Sequence, residues 1–195
     1  MALTLSKNQT ISLEKTAGSG LSKVTLGLGW DPVKAGFLGK LFGGGAGIDL
    51  DASCILFDAN LKSMDVVWFR QLTSRDGSVV HNGDNRTGEG EGDDESIEVD
   101  LHSLPAAVTH LVFTVNSFTG ENFERVQNAY CRIINSANNN ELARFNLSQQ
   151  GAHTGIVMAR LSRGASGWEF HTIGSTASGR TVDDLVGLAA QAVRA

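Results

Sequence analysis

The residues most able to do chemistry lie in one acidic, glycine-rich stretch. Between Asp84 and Glu95 the chain carries Asp84, Glu89, Glu91, Asp93, Asp94 and Glu95 against a single basic residue, Arg86. Carboxylates at that density repel one another unless they are solvated or share a cation. Hard divalent ions prefer oxygen, and Ca²⁺ gathers about six to eight oxygens from carboxylates, amides, backbone carbonyls and water. Gly88, Gly90 and Gly92 let the backbone curl and turn its own carbonyls inward, and Asn85 adds an amide oxygen. The spacing is not that of an EF-hand, because Arg86 falls on the third ligand position and Glu89 replaces the glycine of the sixth. A solvated acidic turn is the reading that composition alone leaves open.

A second set of oxygens comes from Asp49, Asp51 and Ser53, which alternate with Leu50, Ala52 and Cys54. They share the non-apolar face of one strand, about 7 Å apart from one to the next. Two carboxylates there are costly on a buried surface and ordinary on an exposed one; if an ion held by the loop sits over that face, the row becomes its floor. Asp31, directly after Trp30, is a further oxygen donor.

Catalytic patterns are missing. No GxSxG, HExxH, CxxC or CxxCH occurs, and the five histidines (His81, His102, His110, His153 and His171) are dispersed and read as surface or structural. The Gly36–Gly47 run around Lys40 invites a rival reading as a nucleotide- or phosphate-binding loop. Against it, Lys34 stands where a Walker motif needs its first glycine, and Leu41 follows Lys40 where Ser or Thr is required. The apolar Phe37, Leu38, Leu41 and Phe42 are expected to fold back over one end of the fold. Cys54 and Cys131 share the register of apolar neighbours, which predicts buried, unreactive thiols.

The elements that must position these groups are mostly strands. Val24, Leu26, Leu28 and Trp30 alternate with Thr25, Gly27 and Gly29, the period of a strand with one face buried. Similar runs cover 10–14, 65–69, 96–101, 109–117, 126–135, 141–147, 155–161 and 168–173, most of them bounded by Gly, Asn, Asp or Ser. This pattern predicts a mainly β fold, a two-sheet antiparallel sandwich with a glycine-rich loop and an acidic loop. One helix is expected at the C-terminus. Thr181 stands at its cap, Asp183 and Asp184 in its first turn, Arg194 in its last, and Leu185, Leu188, Ala189 and Ala192 form its apolar stripe.

The 195 residues suit one domain spanning 1–195, with 41% hydrophobic and 19% charged residues as in an ordinary soluble protein. A net charge of −5 without a basic run speaks against nucleic acid and is compatible with cation binding. No apolar stretch has the length of a membrane span, the N-terminus lacks a signal peptide's apolar region, and two cysteines are few for a secreted chain. A reduced, cytoplasmic protein is the expectation.

Five segments together resemble a known family: LGLGWD (26–31), GIDLDASCILFD (47–58), GSVVHNGDNRTGEGEGDDE (77–95), NFERVQNAYCRI (122–133) and ELARFNL (141–147). They resemble the TerD family of bacterial tellurium-resistance and general-stress proteins, in order and spacing, over nearly the whole chain. VVWFRQL and QGAHTGIVMARL resemble one branch of it most. The resemblance implies a Ca²⁺-binding β-sandwich holding two ions, without catalytic activity, acting as a sensor or scaffold beside other proteins of the stress system. A membrane surface bridged by Ca²⁺ is a further partner it leaves open. Carried over by position, the implied ligands are Asp31, Asp49, Asp51, Asp84, Asn85, Gly88 through its carbonyl, Asp93, Asp94 and Glu95. Two positions depart from the family pattern. Arg70 stands where many relatives carry asparagine, and a cation there could displace a ligand or neutralise one carboxylate; Asn146 stands where they often carry aspartate.

Overall fold

The computed structural model describes residues 2–18, 20–32, 49–83, 92–147 and 151–194. The chain starts with two short strands, β1 (Leu3–Leu5) and β2 (Thr10–Ser12), a one-turn helix α1 (Leu13–Ala17) and the long strand β3 (Lys23–Pro32). Then come β4 (Leu50–Phe57), β5 (Ser63–Val67), β6 (Val79–His81), β7 (Glu95–Asp100) and β8 (His110–Ser117). The last part holds β9 (Val126–Asn135), β10 (Asn140–Asn146), β11 (Gly155–Gly164), β12 (Gly167–Ala177) and the helix α2 (Val182–Arg194). Sheet A has the order β1-β10-β9-β3-β7-β6 and sheet B the order β2-β12-β11-β8-β4-β5. Among the described residues every strand pairing is antiparallel except β1 on β10.

The expected alternation builds the core. Leu26, Leu28 and Ile133 of sheet A meet Leu56, Phe113 and Phe170 of sheet B between the two layers. The N-terminal segment departs from the single strand expected over 10–14. Ser12 ends β2 and caps α1, its hydroxyl accepting from Lys15 N, because Leu13 then turns fully into the core. Glu14 fastens that turn to β12 by accepting from Trp168 N at 2.8 Å.

The outer face of sheet B is not a solvent face. The helix α2 lies across it, placing Val182 and Ala189 against Ile55, Phe57, Val112, Val157 and Ile173. It covers Ile55 and Phe57 of β4, a strand that is buried along its whole length, on both faces. The Asp51 and Ser53 row is therefore the buried, costly case: Asp51 is only 5% exposed. A sheet covered on both sides gives no alternation in burial, although its residue types still alternate.

Antiparallel pairing brings the ends of β3, β6, β8 and β10 and the starts of β4, β7, β9 and β11 to one end of the sandwich. A bond across the layers joins the sheets there, with Ala52 N donating to Glu95 Oε2 at 2.7 Å. Asp31, Asp49, Asp51, Asp93, Asp94 and Glu95 therefore converge on one pole.

Candidate metal centre

Asp31 projects from the outer face of β3 where the β3–β9 ladder shifts register. The shift adds a residue on β9, and Asn128 takes a positive φ of 52° to accommodate it. Its amide donates to Asp31 Oδ2 at 2.8 Å and so fixes the carboxylate. Across the pole, Asp94 N donates to Leu28 O at 2.7 Å while Trp30 N donates to Asp94 Oδ2 at 2.8 Å. This pair of bonds extends the β3–β7 ladder past the start of β7 and seats Asp94 beside Asp31. Burial holds the Asp94 carboxyl above its ordinary pKa against the opposing Trp30 bond, and the negative charges of Asp31 and Asp93 push it further up. An open cleft of about 590 Å³ lies against these groups, lined among others by Trp30, Asp31, Asp94, Tyr130, Arg144 and Asn146.

A second oxygen-rich patch sits on sheet B. Asp51 is paired in register with Asn116, and Ser53 with Thr114. Asn116 is 1% exposed; its amide nitrogen donates to Arg180 O at 2.8 Å, while its Oδ1 and Thr114 Oγ1 are buried without a hydrogen-bond partner. Asp49 is half-buried just before β4. Between the two patches lies Glu95, 2% exposed, with Oε2 3.3 Å from His81 Nε2. His81 Nδ1 accepts from Gly83 N at 3.2 Å. His81 is itself buried, at 3% exposure.

Asp93 is engaged differently. Arg132 grips it with two bonds, Nε to Oδ1 at 2.8 Å and Nη2 to Oδ2 at 3.0 Å. Arg132 also donates to Glu141 Oε2 at 3.0 Å, and Arg144 forms its own fork on the same carboxylate. The Tyr130 hydroxyl lies 2.8 Å from Gly92 O and 3.0 Å from Asp93 Oδ1. Burial, with the Asp93 charge second, pushes this phenol up to about 12. Tyr130 and Arg132 were not among the residues singled out from sequence. The available signal was Gly27 and Gly29 alternating on the outer face of β3.

Among the described residues no carboxylate forms an ion pair with Arg70. Its guanidinium lies over Trp68, Phe69 and Phe118, 5.4, 5.2 and 5.8 Å from their ring centroids. Asn146 lines the cleft beside Asp94, so the family's aspartate position does face this pole. Both cysteines are buried, and desolvation raises both thiol pKa values. Asp84, Asn85, Gly88 and the Gly36–Gly47 run lie outside the described residues. Among the described residues no three His, Cys, Asp or Glu side chains are arranged to hold a metal by themselves, and no helix is long and apolar enough to cross a membrane.

Fold and pole together define a two-sheet β-sandwich whose acid-bearing strand ends meet at one end. The family model described as the TerD domain matches residues 1–191, and the chain belongs to the TerD family of tellurium-resistance and stress-response proteins. It is 54% identical over 184 residues to the tellurium resistance protein TerZ of Serratia marcescens, covering 94% of each chain. It is 40% identical over 197 residues to the stress response protein SCP2 of Bacillus subtilis (strain 168), covering 95% of this chain and 98% of that one. A solved homologue of telluride resistance protein (TerD) from Streptomyces coelicolor A3(2) shares the fold, with a TM-score of 0.68 at 23% identity, covering 86% of this chain and 96% of that one. These relatives carry resistance and stress names, none of them catalytic.

Proposed function

We propose that the chain is a non-catalytic Ca²⁺-binding module of the cytoplasmic stress and tellurium-resistance response, acting as a sensor or scaffold for other proteins of that system. The observation that carries this reading is the crowding of Asp31 and Asp94 at one cleft, where burial and the neighbouring Asp31 charge raise the cost of ionising Asp94. The donor chemistry suits a hard cation, since carboxylates, the Asn128 and Asn146 amides and buried Asn116 and Thr114 oxygens all present oxygen. Two such patches, one on each sheet, fit two ions. Asp31 and Asp94 would hold one with the oxygens of Asp84, Asn85 and Gly88; Asp49 and Asp51 would hold the other. Bound there, Ca²⁺ supplies the positive charge that lets these carboxylates approach without repulsion. The protein's own part is to hold strand ends of both sheets within reach of the acidic stretch, so that cation binding ties the two layers together.

The test is calorimetric titration of chelator-stripped protein with Ca²⁺, with Mg²⁺ as the control and thermal melts at both ends. The expected result is one or two saturable sites, with dissociation constants of roughly 10⁻⁷–10⁻⁵ M for a sensor, and a higher melting temperature with metal. Absence of both heat and thermal shift would leave a solvated acidic pole and overturn the reading.

A further inference from the structure

We infer that Arg132 is a positioning residue for the acidic pole and that Asp93 is its strut, not an ion ligand. This rests on the Ca²⁺ reading above for its consequence, but not for its geometry. Arg132 stands directly opposite Gly27 in the β3–β9 register, and Tyr130 stands opposite Gly29. With no side chain on either glycine, both residues lean across β3 to reach residues 92 and 93. A methyl group on Gly27 would overlap the Asp93 carboxylate, and one on Gly29 would come within 2.5 Å of the Tyr130 ring and hydroxyl. Neither close approach uses an unusual glycine backbone angle; it is space above the strand that these positions provide.

The pair is built to hold. Both oxygens of Asp93 accept from one guanidinium, the geometry in which Arg and carboxylate bind most directionally. The hydrogen bond to Asp93 is the largest influence raising the Arg132 pKa, with Glu141 also raising it. Arg132 is itself braced by Glu141, which Arg144 fixes from the other side, and Arg144 stacks 4.1 Å from the centroid of the Tyr130 ring. The end of the acidic segment is therefore clamped to sheet A one residue before Asp94. Clamping Asp93 aims Asp94 back across β3, where it receives Trp30 N and lies beside Asp31. Holding a ligand in place through a neighbouring hydrogen-bonded group is how outer-shell residues tune metal affinity.

The strut and a plain charge effect predict opposite signs. Removing Arg132 makes the pole one charge more negative, which by electrostatics alone should tighten cation binding. If Arg132 works by position, Arg132→Gln weakens Ca²⁺ binding by about 10- to 100-fold instead. Arg132→Lys keeps the charge but loses the fork, so it weakens binding as Gln does. Gly27→Ala, which displaces Asp93 while leaving every charge in place, gives the same loss.

The experiment combines Ca²⁺ calorimetry with amide hydrogen exchange on metal-free, full-length wild type, Arg132→Gln, Arg132→Lys, Gly27→Ala and Asp93→Asn. Exchange at the Trp30 and Asp94 amides should rise by about tenfold or more in the first two variants and in Gly27→Ala, with the sheet B amides unchanged. Unchanged protection at these amides, or Ca²⁺ binding as tight as wild type in Arg132→Gln, overturns the proposal. So does loss of binding in Asp93→Asn with normal binding in Arg132→Gln, since Asp93 would then be a ligand. If wild type itself binds no Ca²⁺, the functional reading fails, and the exchange data alone decide the strut.

Discussion

Asp94 shows how the pole stores electrostatic cost. The Trp30 N–H stabilises its carboxylate, yet burial and the charges of Asp31 and Asp93 still hold its pKa above the ordinary value. Replacing it by Asn keeps an oxygen for Trp30 and removes the repulsion. Asp94→Asn should therefore melt about 1–3 °C higher than wild type when metal-free, and it should lose most of the Ca²⁺-induced rise. Differential scanning calorimetry with and without Ca²⁺ measures both effects. A metal-free variant that melts lower, with its Ca²⁺ response intact, would show Asp94 to be a structural cap. Arg70 carries a different lesson about single residues. In sequence it is a cation standing where many relatives carry asparagine, whereas in space its guanidinium lies over three aromatic rings. Side-chain partners across a fold are not legible from residue type.

The elements were legible in proportion to their length and to the contrast between their faces. The strand expected over 126–135 is β9 as observed, that expected over 96–101 is β7 shifted by one residue at each end, and that expected over 109–117 starts one residue before β8. The three-residue strands β1 and β6 left no readable period, and Leu13 looked like a strand residue until Ser12 and Lys15 closed a helical turn. The Asp51 and Ser53 row shares the outer face of β4 with Ile55 and Phe57, but α2, which covers those two, arrives from more than a hundred residues later, so the burial of that face is not legible in β4 itself. The clamp around Arg132 was invisible for a similar reason, since it needs the register of β3 against β9.

Helix α2 also supports a prediction of its own. Asp184 reaches back to accept from Arg180 N at 2.9 Å, Thr181 N at 3.1 Å and the Thr181 hydroxyl at 3.2 Å, so it caps the helix together with Thr181. These bonds hold the Asp184 carboxyl below its ordinary pKa. A depressed folded-state pKa contributes stability that is present above the unfolded value and lost as pH falls through the folded one. Asp184→Ala should cost about 1 kcal/mol near pH 7. Its deficit relative to wild type should shrink as pH drops through the depressed pKa, as followed by urea unfolding at a series of pH values. A deficit that does not vary with pH would mean that the carboxylate's charge is not what caps the helix.

For the molecule as a whole, the sandwich separates support from function. Two sheets and α2 bury the apolar residues, and the antiparallel pairing collects the carboxylates from distant segments at one end. The acidic composition and the family's spacing pointed to that end, but the division into one oxygen patch on each sheet needed the fold. The cation-binding claim is tested most directly with Tb³⁺, a hard ion that substitutes for Ca²⁺ and emits when a nearby tryptophan is excited. Trp30 borders the Asp31 and Asp94 cleft, whereas Trp168 opens β12 at the opposite end of the sandwich. The account predicts tryptophan-sensitised Tb³⁺ emission that Ca²⁺ displaces, that falls in Trp30→Phe and Asp94→Asn, and that survives in Trp168→Phe. Emission that Ca²⁺ cannot displace, or that is indifferent to Trp30→Phe and Asp94→Asn, would contradict it.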